Sequence, residues 1–191
     1  MKALEEKILR EGNVLPGDVL KVGSFLNQQI DVPFMNEMAA EGVRLFQDQK
    51  ITKVLTVEAS GIAFGYAVAT VLNVPLVFAK KSRTSNLSGD LLQAEVFSFT
   101  HNNRYVATLA ADYLSSEDCV LLVDDFLANG EALKGLIALA RQGGAQVAGA
   151  LIAIEKGFQK GGDALRESGV RVESLAIIEE MSPEGGVRFR S

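Results

Sequence analysis

Cysteine, histidine and excess positive charge are all scarce in this chain of 191 residues. The single cysteine, Cys119, excludes an intramolecular disulfide and a cysteine-built metal cluster. It opens an apolar run and reads as a small buried residue. The single histidine, His101, lies in the polar stretch Thr100–Arg104. That context reads as an exposed turn and gives little support to histidine-based zinc chemistry or triad hydrolysis. Lys and Arg number 19 against 24 Asp and Glu, a net charge of −5, so there is no basic footprint for nucleic acid. No apolar run approaches the length of a membrane span. No basic segment followed by an apolar one opens the chain. The expectation is a cytoplasmic protein with neither a nucleic-acid nor a membrane partner.

What is present is apolar residue content, 48% of the chain, enough for one domain with a well-formed core. The most informative stretch runs from Cys119 to Ala132. The apolar run Val120–Val123 ends in two carboxylates, Asp124 and Asp125, followed by a turn of small residues and a helical pattern from about Glu131. A continuous apolar run is how a buried strand of a parallel sheet reads. Ligands of open α/β sheets bind at the carboxyl ends of such strands. Backbone N–H groups at the start of the following helix suit a phosphate. The two acids beside that cradle suit sugar hydroxyls or a divalent cation, so the motif proposes a sugar phosphate bound with a metal.

Periodicity places helices over Lys2–Arg10, Met35–Gln49, Gly61–Leu72 and Glu131–Arg141, and in the second half of Gly157–Ser168. Strands are expected at Lys53–Val57, Leu76–Ala79, Val120–Val123, Gln146–Ile154 and Arg171–Ile177, with a hairpin of Leu91–Phe99 and Tyr105–Ala110 turning at His101. Leu15–Phe34 reads as irregular, and the tail as turning at Pro183. Lys80–Asp90 is a polar stretch that cannot bury much and reads as a mobile loop. The pattern describes an α/β fold, a central mostly parallel sheet flanked by helices. The core is expected at about residues 50–155. The segments at about 1–35 and 156–191 are left to form a small hood lobe above the carboxyl edge of the sheet.

The stretch Cys119–Ala132 resembles the phosphoribosyl pyrophosphate motif of type I phosphoribosyltransferases. By that resemblance Asp124 and Asp125 face the ribose hydroxyls, and Ala128, Asn129, Gly130, Glu131 and Ala132 wrap the 5′-phosphate. The family often carries Thr where this chain has Ala128 and Glu131, so phosphate binding would lean on backbone amides and Asn129. Glu131 favours the helix dipole but would repel a phosphate if turned inward, and it is expected to point outward. Val57–Gly65 resembles the family's pyrophosphate loop, with Ala59, Ser60 and Gly61 small enough for close approach to an anion. Ser60 stands where adenine-type members commonly have Arg. Lys81 is implied as the cation that reaches the pyrophosphate, and the polar stretch after it as a loop that closes over the reacting centre.

Leu15–Gln29 and Asp31–Met35 resemble the N-terminal signature of bacterial xanthine phosphoribosyltransferases, and the similarity extends over essentially the whole chain. The resemblance places Leu20, Asn27 and Lys156 at the purine, with Phe158 able to stack on it. Read as residues alone, Leu20 is more often core and Asn27 more often a turn cap, and Lys156 before Gly157 suits a solvent charge at a helix end. The implied reaction transfers the phosphoribosyl group from phosphoribosyl pyrophosphate (PRPP) to xanthine. Mg²⁺ would be held mainly by the diphosphate, and the implied assembly is a homodimer. Hypoxanthine or guanine as the base is the alternative within the class. A regulator that senses phosphoribosyl pyrophosphate is the alternative of another class. Such a protein is expected to add a basic DNA-binding domain, for which this chain reads as too short and too acidic.

Overall fold

The apolar run at Cys119 becomes a central strand of the sheet. The computed structural model describes residues 1–81, 89–98 and 103–190. The chain begins with α1 (Lys2–Glu11), the short antiparallel pair β1 (Asn13–Leu15) and β2 (Val19–Lys21), a π-helical turn at Gly23–Asn27, and α2 (Val32–Arg44). It continues through β3 (Lys53–Val57), α3 (Ser60–Leu72), β4 (Leu76–Ala79) and the hairpin of β5 (Leu91–Ser98) and β6 (Asn103–Ala110). Then come β7 (Cys119–Leu127), α4 (Glu131–Gln142), β8 (Gln146–Lys156), α5 (Gly161–Glu167), β9 (Val172–Ser182) and β10 (Gly186–Phe189). The six-stranded sheet has the order β10-β9-β8-β7-β3-β4, parallel except for the β10 edge. The chain winds one way from β3 to β4 and the other way from β7 to β9. The crevice at the carboxyl ends of β3 and β7 is therefore the switch point where this architecture holds ligands.

Strand alternation divides the core into two layers. Leu121 and Val123 pack with Leu4, Ile8, Met38, Phe64 and Val68 on the side of α1, α2 and α3. Val120 and Leu122 pack with Leu133, Leu136, Leu139 and Val96 on the side of α4 and the hairpin.

Four departures from the sequence expectations have a local cause. β7 does not stop at Val123 but runs on to Leu127. β8 is long enough to pair with it as far as Leu127↔Glu155, so the ladder carries both acids inside the strand. α2 begins earlier than Met35 because Asp31 caps it, its Oδ1 accepting from the Phe34 N–H at 3.2 Å, with Pro33 in the first turn. The stretch expected to be irregular holds the β1–β2 pair and the π-helical turn. The tail is a hairpin, β10 folding back on β9. The alternation of Val187 and Phe189, packed inward, with Arg188 is the signal that marks it. β9 and β10 thus extend the sheet past residue 155, while the N-terminal segment packs on them in the same apolar layer. Ser82–Ser88, expected as a mobile loop, and His101 with its turn lie outside the described residues.

Candidate active site

A cavity of about 230 Å³ opens at the switch point, lined by Glu58, Ser60, Lys81, Tyr105, the acids of β7 and residues 126–133. Most of the wall comes from the carboxyl ends of sheet strands and the loops after them, with Tyr105 added from the start of β6. Asp124 and Asp125 are 7% and 4% exposed, an expensive place for two adjacent carboxyls. Burial, then the charge of Asp125, pushes the Asp124 carboxyl well above the usual carboxylate range. Asp124 Oδ1 accepts from the Asp125 N–H at 3.0 Å. Asp125 is held from two sides: Ser60 Oγ donates to Oδ1 at 2.8 Å and Asn27 Nδ2 donates to Oδ2 at 3.3 Å. Those donors come from the start of α3 and from the π-helical turn, so the cavity joins three distant parts of the chain.

Gly61 is required where α3 meets β7. A Cβ there would press into the Thr56 hydroxyl and stand 2.9 Å from Asp124 Oδ1. Glu58, at the end of β3, accepts the Lys81 backbone N–H at 2.7 Å and so ties the β3–α3 loop to the end of β4. The Lys81 ammonium lies 5.4 Å from the centre of the Tyr105 ring. Burial, then the neighbouring Asp124, pushes the Tyr105 hydroxyl up to about 12, so it stays protonated at neutral pH.

The loop Ala128–Gly130 leads into α4, whose first residues are Glu131 and Ala132. Glu131 is engaged by Lys134 at 2.7 Å, which balances its charge beside the loop. The loop rests on the start of α5. Gly161 N–H donates to Ala128 O at 3.1 Å, and a Cβ at Gly161 would collide with that carbonyl and approach Gly130 N to 2.6 Å.

Of the residues expected at a base, Asn27 reaches the cavity through Asp125. Lys156 stands over the Phe126 ring, 5.6 Å from its centre, and donates to Asp18 O at 2.7 Å. Burial lowers the Lys156 pKa, against the opposing pull of the Asp18 carboxylate. Leu20 is buried in the apolar layer under α1 and does not line the cavity. Phe158 packs, partly buried, against the same layer. Sequence reasoning passed over Glu58, Tyr105 and Phe126. Glu58 carries a usable signal, since it directly follows a parallel strand; Phe126, beyond the two carboxylates, and Tyr105, at the far end of a hairpin, carry none.

Residues 34–180 match the phosphoribosyl transferase domain. This chain belongs to the phosphoribosyltransferase family. Relatives at about half identity extend over its full length. A xanthine phosphoribosyltransferase of Bifidobacterium adolescentis is 52% identical, covering 100% of both chains. One of Clostridium novyi is 49% identical, again over 100% of both. Among solved structures, an APRTase of Giardia lamblia complexed with 9-deazaadenine superposes with a TM-score of 0.78 at 23% identity, covering 91% of this chain and 96% of that one. That likeness shows the type I phosphoribosyltransferase fold, a mostly parallel sheet flanked by helices, as the motif implied. The phosphoribosyltransferase motif therefore coincides with the cavity and not merely with a strand of the sheet.

Among the described residues no three metal-binding side chains converge. The cavity nonetheless presents the carboxylates of Glu58, Asp124 and Asp125. Mg²⁺ is commonly bound through substrate phosphates while keeping several waters. This donor set fits a cation that arrives with a diphosphate and offers its waters to the acids at the rim.

Asp124 tests the electrostatics of the ligand-free cavity. Its folded pKa is raised, so its contribution to stability is fully present below the unfolded pKa and is lost as pH rises through the folded one. Asp124→Asn is therefore expected to raise the melting temperature of the ligand-free protein at pH 8, by about 2–4 °C for each kcal/mol relieved. The gain should vanish as pH falls below the ordinary carboxylate range. Thermal scans between pH 4 and pH 8 read this directly, and a pH-independent difference would contradict it.

Proposed function

We propose that the protein transfers the 5-phosphoribosyl group from phosphoribosyl pyrophosphate to xanthine, releasing pyrophosphate and xanthosine 5′-monophosphate, a step of purine salvage. The observation that carries this is full-length identity of about half to xanthine phosphoribosyltransferases, with the phosphoribosyl motif lining one cavity. A purine nitrogen attacks C1′ of the ribose as pyrophosphate leaves, and positive charge develops on the sugar. Asp124 and Asp125 take the ribose hydroxyls. The amides of residues 128–132, with Asn129, anchor the 5′-phosphate and fix the line of attack. Ala59, Ser60 and Gly61 offer backbone N–H groups to the pyrophosphate, and Lys81 supplies a compact charge to it. Bound Mg²⁺ adds neutralisation of the leaving diphosphate.

The base is assigned to the lobe of residues 1–35 and 156–191. Asn27 donates and accepts at the purine edge, Lys156 donates to an oxo group, Phe158 and Phe126 offer ring surface, and Leu20, buried in the layer beneath, is the weakest of the base assignments. Lys156→Met is expected to raise KM for xanthine about ten- to a hundredfold, the scale of a lost charged hydrogen bond, with KM for phosphoribosyl pyrophosphate nearly unchanged. The assembly is assigned as a homodimer. Exposed Tyr66, Phe78 and Tyr113 flank Leu76 on the β4 side and offer an apolar face for it; a single-chain mass by light scattering would remove that assignment. No helix among the described residues is long and apolar enough to cross a membrane, which suits the cytoplasmic location assigned here.

The deciding experiment incubates the protein with phosphoribosyl pyrophosphate, Mg²⁺ and xanthine, guanine, hypoxanthine or adenine in parallel. Preferred formation of xanthosine 5′-monophosphate is expected. Preference for hypoxanthine or guanine would keep the phosphoribosyl chemistry and discard the base assignment.

A further inference from the structure

Asp125 is held from two separate segments, and the two holds are unequal. The Ser60 hydroxyl donates to Oδ1 at 2.8 Å, a normal length for O–H to carboxylate. The Asn27 amide donates to Oδ2 at 3.3 Å, beyond the usual range for a strong N–H to oxygen bond. Asn27 is also the residue assigned to the purine edge in the proposed reaction, so its hold on Asp125 is the one a substrate can take away. Ser60 is not among the residues assigned to the base. It is the first residue of α3, and its backbone position is set by the helix. Gly61 beside it lets that helix approach Asp124 closely.

We infer that Ser60 is a positioning residue for Asp125. Its hydroxyl orients the carboxylate towards the ribose and keeps it oriented after a base has engaged Asn27, while its backbone N–H remains available to pyrophosphate. The inference rests on the ribose role proposed for Asp125.

The test compares Ser60→Ala, Ser60→Thr, Asp125→Asn and the double variant Ser60→Ala/Asp125→Asn. Readouts are kcat, KM for phosphoribosyl pyrophosphate, and product inhibition by inorganic pyrophosphate. Ser60→Ala is expected to lower kcat about ten- to a hundredfold, the scale of one charged hydrogen bond, with pyrophosphate inhibition unchanged. Ser60→Thr, which keeps the hydroxyl, is expected to restore most of the rate. In the Asp125→Asn background, removing the Ser60 hydroxyl should cost less than about twofold, because the partner it positions is already gone. Equal costs in both backgrounds, or weakened pyrophosphate inhibition in Ser60→Ala, would overturn the inference and give the hydroxyl to the leaving group. Unchanged turnover in Asp125→Asn would overturn the ribose role, and the inference with it. Loss in Asp125→Asn beside full turnover in Ser60→Ala would overturn the inference alone.

Discussion

Asp125→Asn is expected to lower turnover by about 10²–10³-fold, the scale on which one preorganised electrostatic group acts at a transition state. The carboxylate is 4% exposed and receives donors on both oxygens. The amide keeps its shape but not its charge. With its NH₂ towards Asn27 two donors face each other, and with its NH₂ towards Ser60 the hydroxyl must turn from donor to acceptor. The negative charge that would steady an electron-poor sugar is lost at the same time. Because Asn is isosteric, the melting temperature is expected to stay within about 2 °C, roughly 1 kcal/mol for a chain of this size. Steady-state rates with both substrates saturating make the measurement. Wild-type kcat in a folded variant would remove Asp125 from the ribose.

Arg166→Ala is expected to have the largest effect on stability, through a group outside the cavity. Glu155, near the end of β8, is 0% exposed. Arg166 of α5 meets it with both arms of its guanidinium, at 2.9 and 2.7 Å, and Ser174 donates to it from β9. Removing Arg166 leaves a buried charge without its counter-ion. Breaking such a pair costs about 3–5 kcal/mol. The lower end applies because the Arg166 side chain is 31% exposed and water can partly replace it. About 3 kcal/mol corresponds to a fall of about 6–12 °C in melting temperature. Arg166 anchors α5, and the start of α5 supports the Ala128–Gly130 loop through Gly161. The variant should therefore also bind phosphoribosyl pyrophosphate more weakly, measured by KM below the melting transition. A replacement of both partners by apolar residues, Glu155→Met with Arg166→Leu, should recover much of the lost stability. A fall of less than about 2 °C in Arg166→Ala would show that Glu155 is neutralised by other means.

The parts of the site that were legible in the sequence are those written in consecutive residues. Strands β3 and β4 were read at their observed limits because both are short apolar runs bounded by polar or turn residues. The start of α4 was read at Glu131 because the small-residue turn before it breaks the apolar pattern sharply. The end of β7 was misplaced because carboxylates look like a strand's end, whereas pairing to β8 decides where the ladder stops. Phe126 was passed over for the same reason: beyond Val123 the local pattern no longer reports a strand. The turn at Pro183 is legible in the sequence, but the strand after it is not, because it is four residues long and gains its partner only from β9.

By itself, the sequence determined the chemistry class of this protein. A strand, two acids, a small-residue loop and a helix start are covalently contiguous, and contiguity holds them in that order whatever the rest of the chain does. Only the tertiary structure decided which groups meet those acids. Asn27 lies 98 residues before Asp125 and Ser60 lies 65 before it, yet both donate to the same carboxylate. No periodicity or spacing encodes that meeting. It follows from sheet order, which sets β3 beside β7 and so brings the start of α3 to the acids. It follows also from packing of the N-terminal helices onto the sheet, which lowers the turn bearing Asn27 onto the cavity.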